Sequence, residues 1–366
     1  MHKPLSQRIR IAALLSGAGA SPLGALASGS PAATLSQVLA NSGITASGYV
    51  AASYYYSSGY GTDHTFDVSH DTFQLDQAGL QLACRPASGF GAVVDAIAGE
   101  DAKIVDYAES AGASADPVAL LQGFAQYAAG PLTVQAGKFT TLAGAEVIAP
   151  TGNTNFSRSL LFLGEPMTHT GLRVTYAITN TVTVIAGVND GWNYSTVSYG
   201  PKTGELGIAL TPNRHFSLTA QAYAGRDPLD LASRQLFDAV ATYEATAALS
   251  FVLSYDWGRQ DASPVTAGGG WQGVAAYVNY RSGPRWRVSL RGEYFDDETG
   301  FITGAAQKLE EGTITFGYDP APDFELRLEG RYDISSVPTF VKKIRPTVTV
   351  LADDQAEVAV QGVFEF

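Results

Sequence analysis

The sequence predicts an all-β fold: a transmembrane up-and-down antiparallel β-barrel of about sixteen strands, with short periplasmic turns and long extracellular loops. Three observations predict it. The 366-residue chain is 45% hydrophobic but only 16% charged, where about 25% charge is usual for a soluble domain. Its period-two segments mostly reach or exceed the ~9–11 residues that a tilted membrane strand needs. The connections between those segments alternate between short and long. Mean hydropathy is only +0.02, and after residue 15 no stretch approaches the ~18–20 apolar residues of a membrane helix. Aromatic residues at 11% exclude a disordered chain.

The N-terminus reads as an address. Lys3, Arg8 and Arg10 precede the apolar run Ile11 to Leu15, and Ala25-Leu26-Ala27 fits a small-x-small cleavage site. Residues 1–27 are therefore expected to be a secretory signal, 28–42 a short periplasmic segment, and 43–366 the barrel. Net charge is −12, and about −15 once the signal is removed, which argues against a nucleic-acid partner. Cys84 is the only cysteine, so an intramolecular disulfide is excluded.

Sixteen segments carry the alternation: 43–57, 70–85, 89–99, 117–128, 132–142, 167–178, 181–192, 203–212, 215–225, 237–245, 247–258, 271–281, 285–296, 309–318, 323–334 and 354–366. In 324–333, Phe324, Leu326, Leu328, Gly330 and Tyr332 alternate with Glu325, Arg327, Glu329, Arg331 and Asp333. In lipid every backbone group must be paired within the protein, and for strands only a closed sheet achieves this. Aromatics near strand ends (Tyr54, Tyr56, Trp192, Tyr255, Trp257, Trp271, Trp286, Tyr294, Phe324, Tyr332) suggest interfacial girdles. In 70–85, Phe73 and Leu75 share a parity with Gln77 and Gln81, which requires a bulge or a shifted boundary. Lys138 sits on an otherwise apolar parity and reads as the strand leaving the lipid zone.

The opposite parity carries polar groups, among them Asp95, Gln126, Arg173, Glu205, Asp238, Asp256 and Asn279. That is expected of a lumen wide enough for water. Arg287, Arg291 and Glu293 on one ascending strand, and Arg327, Glu329 and Arg331 on the next, are read as pore lining. The alternative is that they form inward salt bridges that stiffen the wall. The loop 143–166 contains Leu160, Leu161 and Phe162, too apolar for free solvation. It is expected to fold into the lumen, with Glu146, Arg158 and Glu165 near the constriction, rather than to cap the surface. Loop 100–116 is a second candidate to occlude the pore.

Catalytic and metal motifs are mostly absent. Gly-x-Ser-x-Gly and His-Glu-x-x-His do not occur. Asp63, His64, Asp67, His70 and Asp71 could meet around a divalent ion, but a solvated acidic loop is the expected reading. His169 with Ser157 or Ser159 is the only candidate for an outer-membrane hydrolase. No enzyme activity, cofactor or metal is expected.

Gly137-Lys138-Phe139, Asn155-Phe156-Ser157-Arg158-Ser159, Pro166 to His169-Thr170-Gly171, and Gly48-Tyr49 to Tyr54-Tyr55 carry a resemblance. With these elements the chain over 43–366 resembles the OmpL-like outer-membrane β-barrel porin family. The resemblance implies a water-filled channel for passive diffusion of small hydrophilic solutes, in the outer membrane of a Gram-negative bacterium. It implies no catalytic residues. It also implies outer-membrane lipid as surroundings and the barrel-insertion machinery as a partner, with Phe366 part of the assembly signal. A homotrimer is expected by analogy with sixteen-stranded porins. A closed-lumen surface receptor is the alternative, with an outer-membrane enzyme behind it.

Overall fold

A computed structural model describes residues 42–345 and 348–366. The expected signal 1–27 and almost all of the expected segment 28–42 lie outside the described residues. Sixteen antiparallel strands close into one barrel. They are β1 (Thr45–Ser57), β2 (Thr72–Cys84), β3 (Gly89–Ala98), β4 (Val118–Ala129), β5 (Leu132–Thr140), β6 (Thr168–Ala177), β7 (Val182–Asn189), β8 (Thr203–Asn213), β9 (Phe216–Arg226), β10 (Ser233–Glu244), β11 (Leu249–Gln260), β12 (Gly269–Ser282), β13 (Trp286–Asp297), β14 (Gln307–Ala321), β15 (Phe324–Ser335) and β18 (Asp354–Glu365). Each of the sixteen expected segments overlaps one of them, with ends shifted by up to four residues. The short connections, such as 130–131 and 322–323, share one end; the long ones, such as 58–71, 99–117 and 141–167, share the other.

Alternation sets the two faces. On β15, Leu326, Leu328, Tyr332 and Ile334 are exposed outward while Glu325, Arg327, Glu329, Arg331 and Asp333 are buried inward. The bulge required in β2 is present: Ala51 pairs with Gln77 and Ala52 with Leu75, so Asp76 is the extra residue. It lets Phe73 and Leu75 face out while Gln77 faces in.

Two elements inside long loops were not expected. Helix α1 (Glu100–Glu109) occupies most of the loop after β3, and the hairpin β16 (Phe340–Arg345)–β17 (Val348–Ala352) stands between β15 and β18. Ala102 and Val105, one turn apart, form the buried face of α1. Lys138 does not simply mark the edge of the lipid zone, because its Nζ lies 2.5 Å from Glu109 Oε1 at the end of α1.

The girdle reading needs one correction. Tyr56, Tyr255, Trp257, Trp286 and Tyr332 are exposed on the outer face, but Trp192 and Trp271 are buried inside. Trp271 lies on the inward parity of β12 with Ala275 and Tyr277, so its indole joins an interior cluster instead of the membrane interface.

The seam is formed by β1 and β18, with Tyr49 opposite Glu365 and Ser57 opposite Glu357. Phe366 extends this ladder: its N–H donates to Gly48 O at 2.9 Å and its carbonyl accepts from Gly48 N at 3.0 Å. The Phe366 ring covers Gly48, where a Cβ would collide with it. Deleting Phe366 removes both seam bonds and this cover. The expected outcome is a fall in heat-modifiable folded barrel on semi-native gels, with protease-sensitive material left in the periplasm; an unchanged yield would show that the seam closes without it.

Candidate functional site: a loop seated in the lumen

The loop 141–167 leaves β5 at one wall and crosses the interior to β13, β14 and β15. Its middle has little regular structure, so its amides and carbonyls need partners from elsewhere. The wall supplies them. Glu329 accepts from Phe156 N at 2.6 Å and from Ser157 N at 2.9 Å. Glu293 repeats the arrangement with Leu160 N and Leu161 N, each at 2.7 Å. Consecutive N–H groups aimed at one carboxylate form a small anion-holding concavity.

Arginines satisfy the carbonyls. Arg291 donates to Ser157 O at 2.9 Å, Arg331 to Arg158 O at 2.7 Å, and Arg327 to Pro150 O at 3.1 Å. Arg287 donates to Thr154 O. The same arginines pair with wall carboxylates: Arg287 with Glu325 at 2.5 Å, Arg327 with Glu325 at 2.8 Å, Arg291 with Glu311 at 3.0 Å and Arg331 with Asp333 at 2.8 Å.

The six residues read as pore lining do point inward. Each is nevertheless covered by the loop, with Arg287, Arg291, Glu293, Arg327, Glu329 and Arg331 only 1–7% exposed. All six anchor the loop; the four arginines also pair with wall carboxylates, and Glu329 also accepts from Thr315. The three residues placed near the constriction are dispersed. Glu146 accepts from Arg291 at 2.9 Å and from Ser159 N at 2.6 Å. Arg158 turns back on its own loop, donating to Val147 O, Ile148 O and Phe156 O, and its guanidinium lies 5.2 Å from the Phe66 ring centre. Glu165 sits at the far end of the loop, within 4.8 Å of carboxylate oxygens of Asp238 and Asp256.

Apolar contacts complete the seating. Leu160 and Leu161 are buried with Leu236, Val252, Trp271, Tyr277, Phe295 and Leu309 from the inner faces of β10 to β14. Burying each leucine contributes about 1.5–3 kcal/mol. The inward parity is therefore not uniformly polar: its upper part is a dry core around the loop. On the other side Ile148 and Phe162 pack with Phe66, Val105 and Leu121, so the loop 58–71 and α1 close onto the same loop.

The loop 58–71 is not the solvated acidic loop the sequence suggested. His64 and Asp67 are buried, and His64 Nδ1 stands 2.7 Å from Asp67 Oδ2 while Nε2 stands 3.0 Å from Asp333 Oδ2. Glu357 is 3.4 Å from Nδ1. Asp63 instead accepts from Gln307, Asp71 from Tyr54, and His70 packs edge-on against Tyr60. Burial and Arg331 oppose charge on His64, but Asp67, Glu357 and Asp333 outweigh them and hold its pKa well above 6.5. Burial opposes the Asp67 carboxylate too, yet the His64 charge and hydrogen bond bring it down to about 2.

His169 does not meet a serine nucleophile. Its Nδ1 lies 3.0 Å from Gly191 O and its ring stacks on Tyr223. Ser157 donates its hydroxyl to Glu329 at the opposite wall, and Ser159 N donates to Glu146. Asp238 and Asp256 were read only as inward residues; that they stand directly opposite each other follows from the register of β10 and β11.

A closed sixteen-stranded antiparallel barrel, with an apolar outer face and a loop folded into a charged lumen, defines an outer-membrane channel protein. The chain belongs to the family of beta-barrel porin-2, OmpL-like proteins, whose model matches residues 43–366. No curated relative matches it in sequence. Among solved structures it is similar to the outer membrane channel DcaP of Acinetobacter baumannii, with TM-score 0.61, 15% identity, and coverage of 88% of this chain and 97% of that one. OmpT of Vibrio cholerae gives TM-score 0.60 at 12% identity, covering 88% and 97%. The anion-selective porin of Comamonas acidovorans gives 0.56 at 11% identity, covering 88% and 99%. At these identities the structural likeness shows the fold; the family supports the channel role.

Replacing Glu329 with Gln keeps the size but removes the charge that holds two amides and the Ser157 hydroxyl. The loop is expected to lose about 1–3 kcal/mol of docking free energy, read as faster proteolysis or hydrogen exchange within 150–160 while the barrel stays heat-modifiable. Unchanged exchange would remove Glu329 as an anchor.

The His64 clamp has a defined pH dependence. A raised pKa means its contribution is complete below about 6.5 and is lost as pH rises through the folded value. The depressed Asp67 pKa adds a contribution that is lost as pH falls from 3.8 towards about 2. Hydrogen-exchange protection of 58–71, the rate corrected for its intrinsic base-catalysed rise, is therefore expected to be greatest between about pH 4 and 6.5 and to fall in alkali. His64→Gln should flatten the alkaline limb, and an identical alkaline limb in that variant would refute the clamp.

Proposed function

We propose that the protein is a diffusion channel for small hydrophilic solutes in the outer membrane of a Gram-negative bacterium, exported through the segment 1–27, with 141–167 as its constriction. The observation that carries this reading is the loop itself. It is seated across a sixteen-stranded lumen on wall charges that water could solvate if the loop moved. Below it, on the short-turn side, the inward residues Thr133, Thr175, Thr183, Ser217, Thr219 and Ser250 are partly exposed and polar. They suit a vestibule for hydrated solutes, with the loop limiting passage above.

Selectivity follows from charge. Four wall arginines (Arg287, Arg291, Arg327, Arg331) face five wall carboxylates (Glu293, Glu311, Glu325, Glu329, Asp333), so that wall is nearly neutral. The surplus acid lies elsewhere, at Asp238 and Asp256 inside and at loop residues such as Asp261 and Glu298. A mildly cation-selective channel is the consequence, with the preference falling as salt screens the acids over ~10 Å at 0.1 M. The barrel-insertion machinery is the partner that would read Phe366 during assembly. A homotrimer is the assembly we favour, supported by the trimer form of Vibrio cholerae OmpT at TM-score 0.60.

A second reading has its own observation: the dry packing of Leu160 and Leu161 on the inner wall favours a closed barrel acting as a surface receptor. Planar-bilayer recording separates the two. The porin reading expects discrete conductance steps, larger when 147–162 is removed, with an unchanged conductance in that variant placing the passage away from the loop. No steps from the intact, folded protein would favour the receptor. Reversal potential across a salt gradient should show cations favoured, more strongly at low salt; anion preference would overturn the selectivity argument.

A further inference from the structure

Asp238 on β10 and Asp256 on β11 are direct cross-strand partners on the inward face. Like charges in that position repel, and the pairing is destabilising unless something offsets it. Both are 0% exposed. No oxygen of either aspartate completes a hydrogen bond, and nor does Glu165 Oε2, which the loop carries to the same point; the Gly144 amide faces Asp238 without closing one. Among the described residues, no basic side chain forms an ion pair with any of the three, although the wall's inward arginines are matched to carboxylates.

We propose that Glu165, Asp238 and Asp256 form a divalent-cation site, suited to Ca2+, that fastens the C-terminal end of loop 141–167 to β10 and β11. One oxygen from each residue can be chosen so that all lie within 4.8 Å of one another. Oxygens at 2.3–2.6 Å around a Ca2+ ion stand up to about 5 Å apart, so the spacing fits a common centre. Carboxylate oxygens are the ligands such a hard cation takes, and its remaining positions accept water. Gly144 completes the cradle: a Cβ there would overlap both oxygens of Glu165. The ion would balance buried negative charge on the flank of the loop that the arginine ladder does not reach.

The inference goes beyond the channel reading and does not depend on conductance. Trp271 provides an internal probe, because its indole nitrogen faces Gly164, next to Glu165 in the chain. Tb3+ added to the chelator-treated, detergent-purified full chain is expected to give saturable luminescence on tryptophan excitation, displaced by Ca2+. Asp238→Asn and Asp256→Asn should each weaken binding about tenfold or more, whereas Asp261→Asn, on an exposed loop, should not. Heat-modifiable mobility establishes that each variant is folded. Should either aspartate variant fail to fold, Glu165→Gln, on the loop, carries the same test. Absence of saturable luminescence in the unaltered protein, or equal Ca2+ affinity in the folded aspartate or Glu165 variants, would overturn the site and leave the three carboxyls sharing protons.

Discussion

The arrangement of the lumen depends on one constraint: a loop inside a barrel must have its backbone satisfied by the wall. Strands solve this among themselves, but 141–167 has no neighbouring strand through its middle. Its donors reach Glu293 and Glu329, and its carbonyls reach Arg287, Arg291, Arg327 and Arg331. Each wall arginine thus does two things. It pairs with a carboxylate along the wall and it holds a carbonyl of the loop, while Glu293 and Glu329 hold the loop's amides. A ladder of alternating acids and bases on adjacent strands is the pattern that serves both donors and acceptors while leaving little net charge behind.

This also explains why the loop can be tightly held and still be movable. A hydrogen bond to a charged group contributes about 1.5–3 kcal/mol net, because folding exchanges it for bonds to water. Were the loop to lift, the arginines and glutamates would be rehydrated rather than stranded in a dry interior, and the large penalty of an unpaired buried charge would not arise. The leucine pair behaves differently. Leu160 and Leu161 would leave an apolar patch facing water, so the hydrophobic contact with Trp271, Phe295 and Leu309 is the part of the seating that water does not replace.

Much of the barrel was legible in the sequence because membrane strands obey a period of two over a fixed length. Even the bulge at Asp76 showed itself, as a parity conflict between Phe73 and Gln77. Helix α1 escaped notice because ten residues with two buried apolar positions give little periodicity, and the hairpin β16–β17 because it is too short to span lipid. The site was less legible for a different reason. Parity says that Arg291 and Glu329 face inward, but it does not say what faces them, and the partners proved to be backbone groups of residues 150–161 that have no side-chain signature. Trp192 and Trp271 were misplaced for the same reason: an aromatic near a strand end suits a girdle unless an interior loop brings leucines to meet it.

The loop's two flanks are held by unlike chemistry. Towards β13–β15 each wall arginine has an acid, and wall charges hold several of the loop's peptide groups. Towards β10 and β11, Glu165 meets Asp238 and Asp256 with no base between them. If the only task of the interior were to fix the loop, a lysine or arginine at either aspartate position would do it within the chain's own charges. Three carboxylates instead make the second attachment conditional on a cation or on protons, supplied from solution. On the proposed cation site, the loop is held along β13–β15 by the chain's own charges and along β10 and β11 by an ion from solution, so the surrounding medium would bias how far the loop stands from β10 and β11.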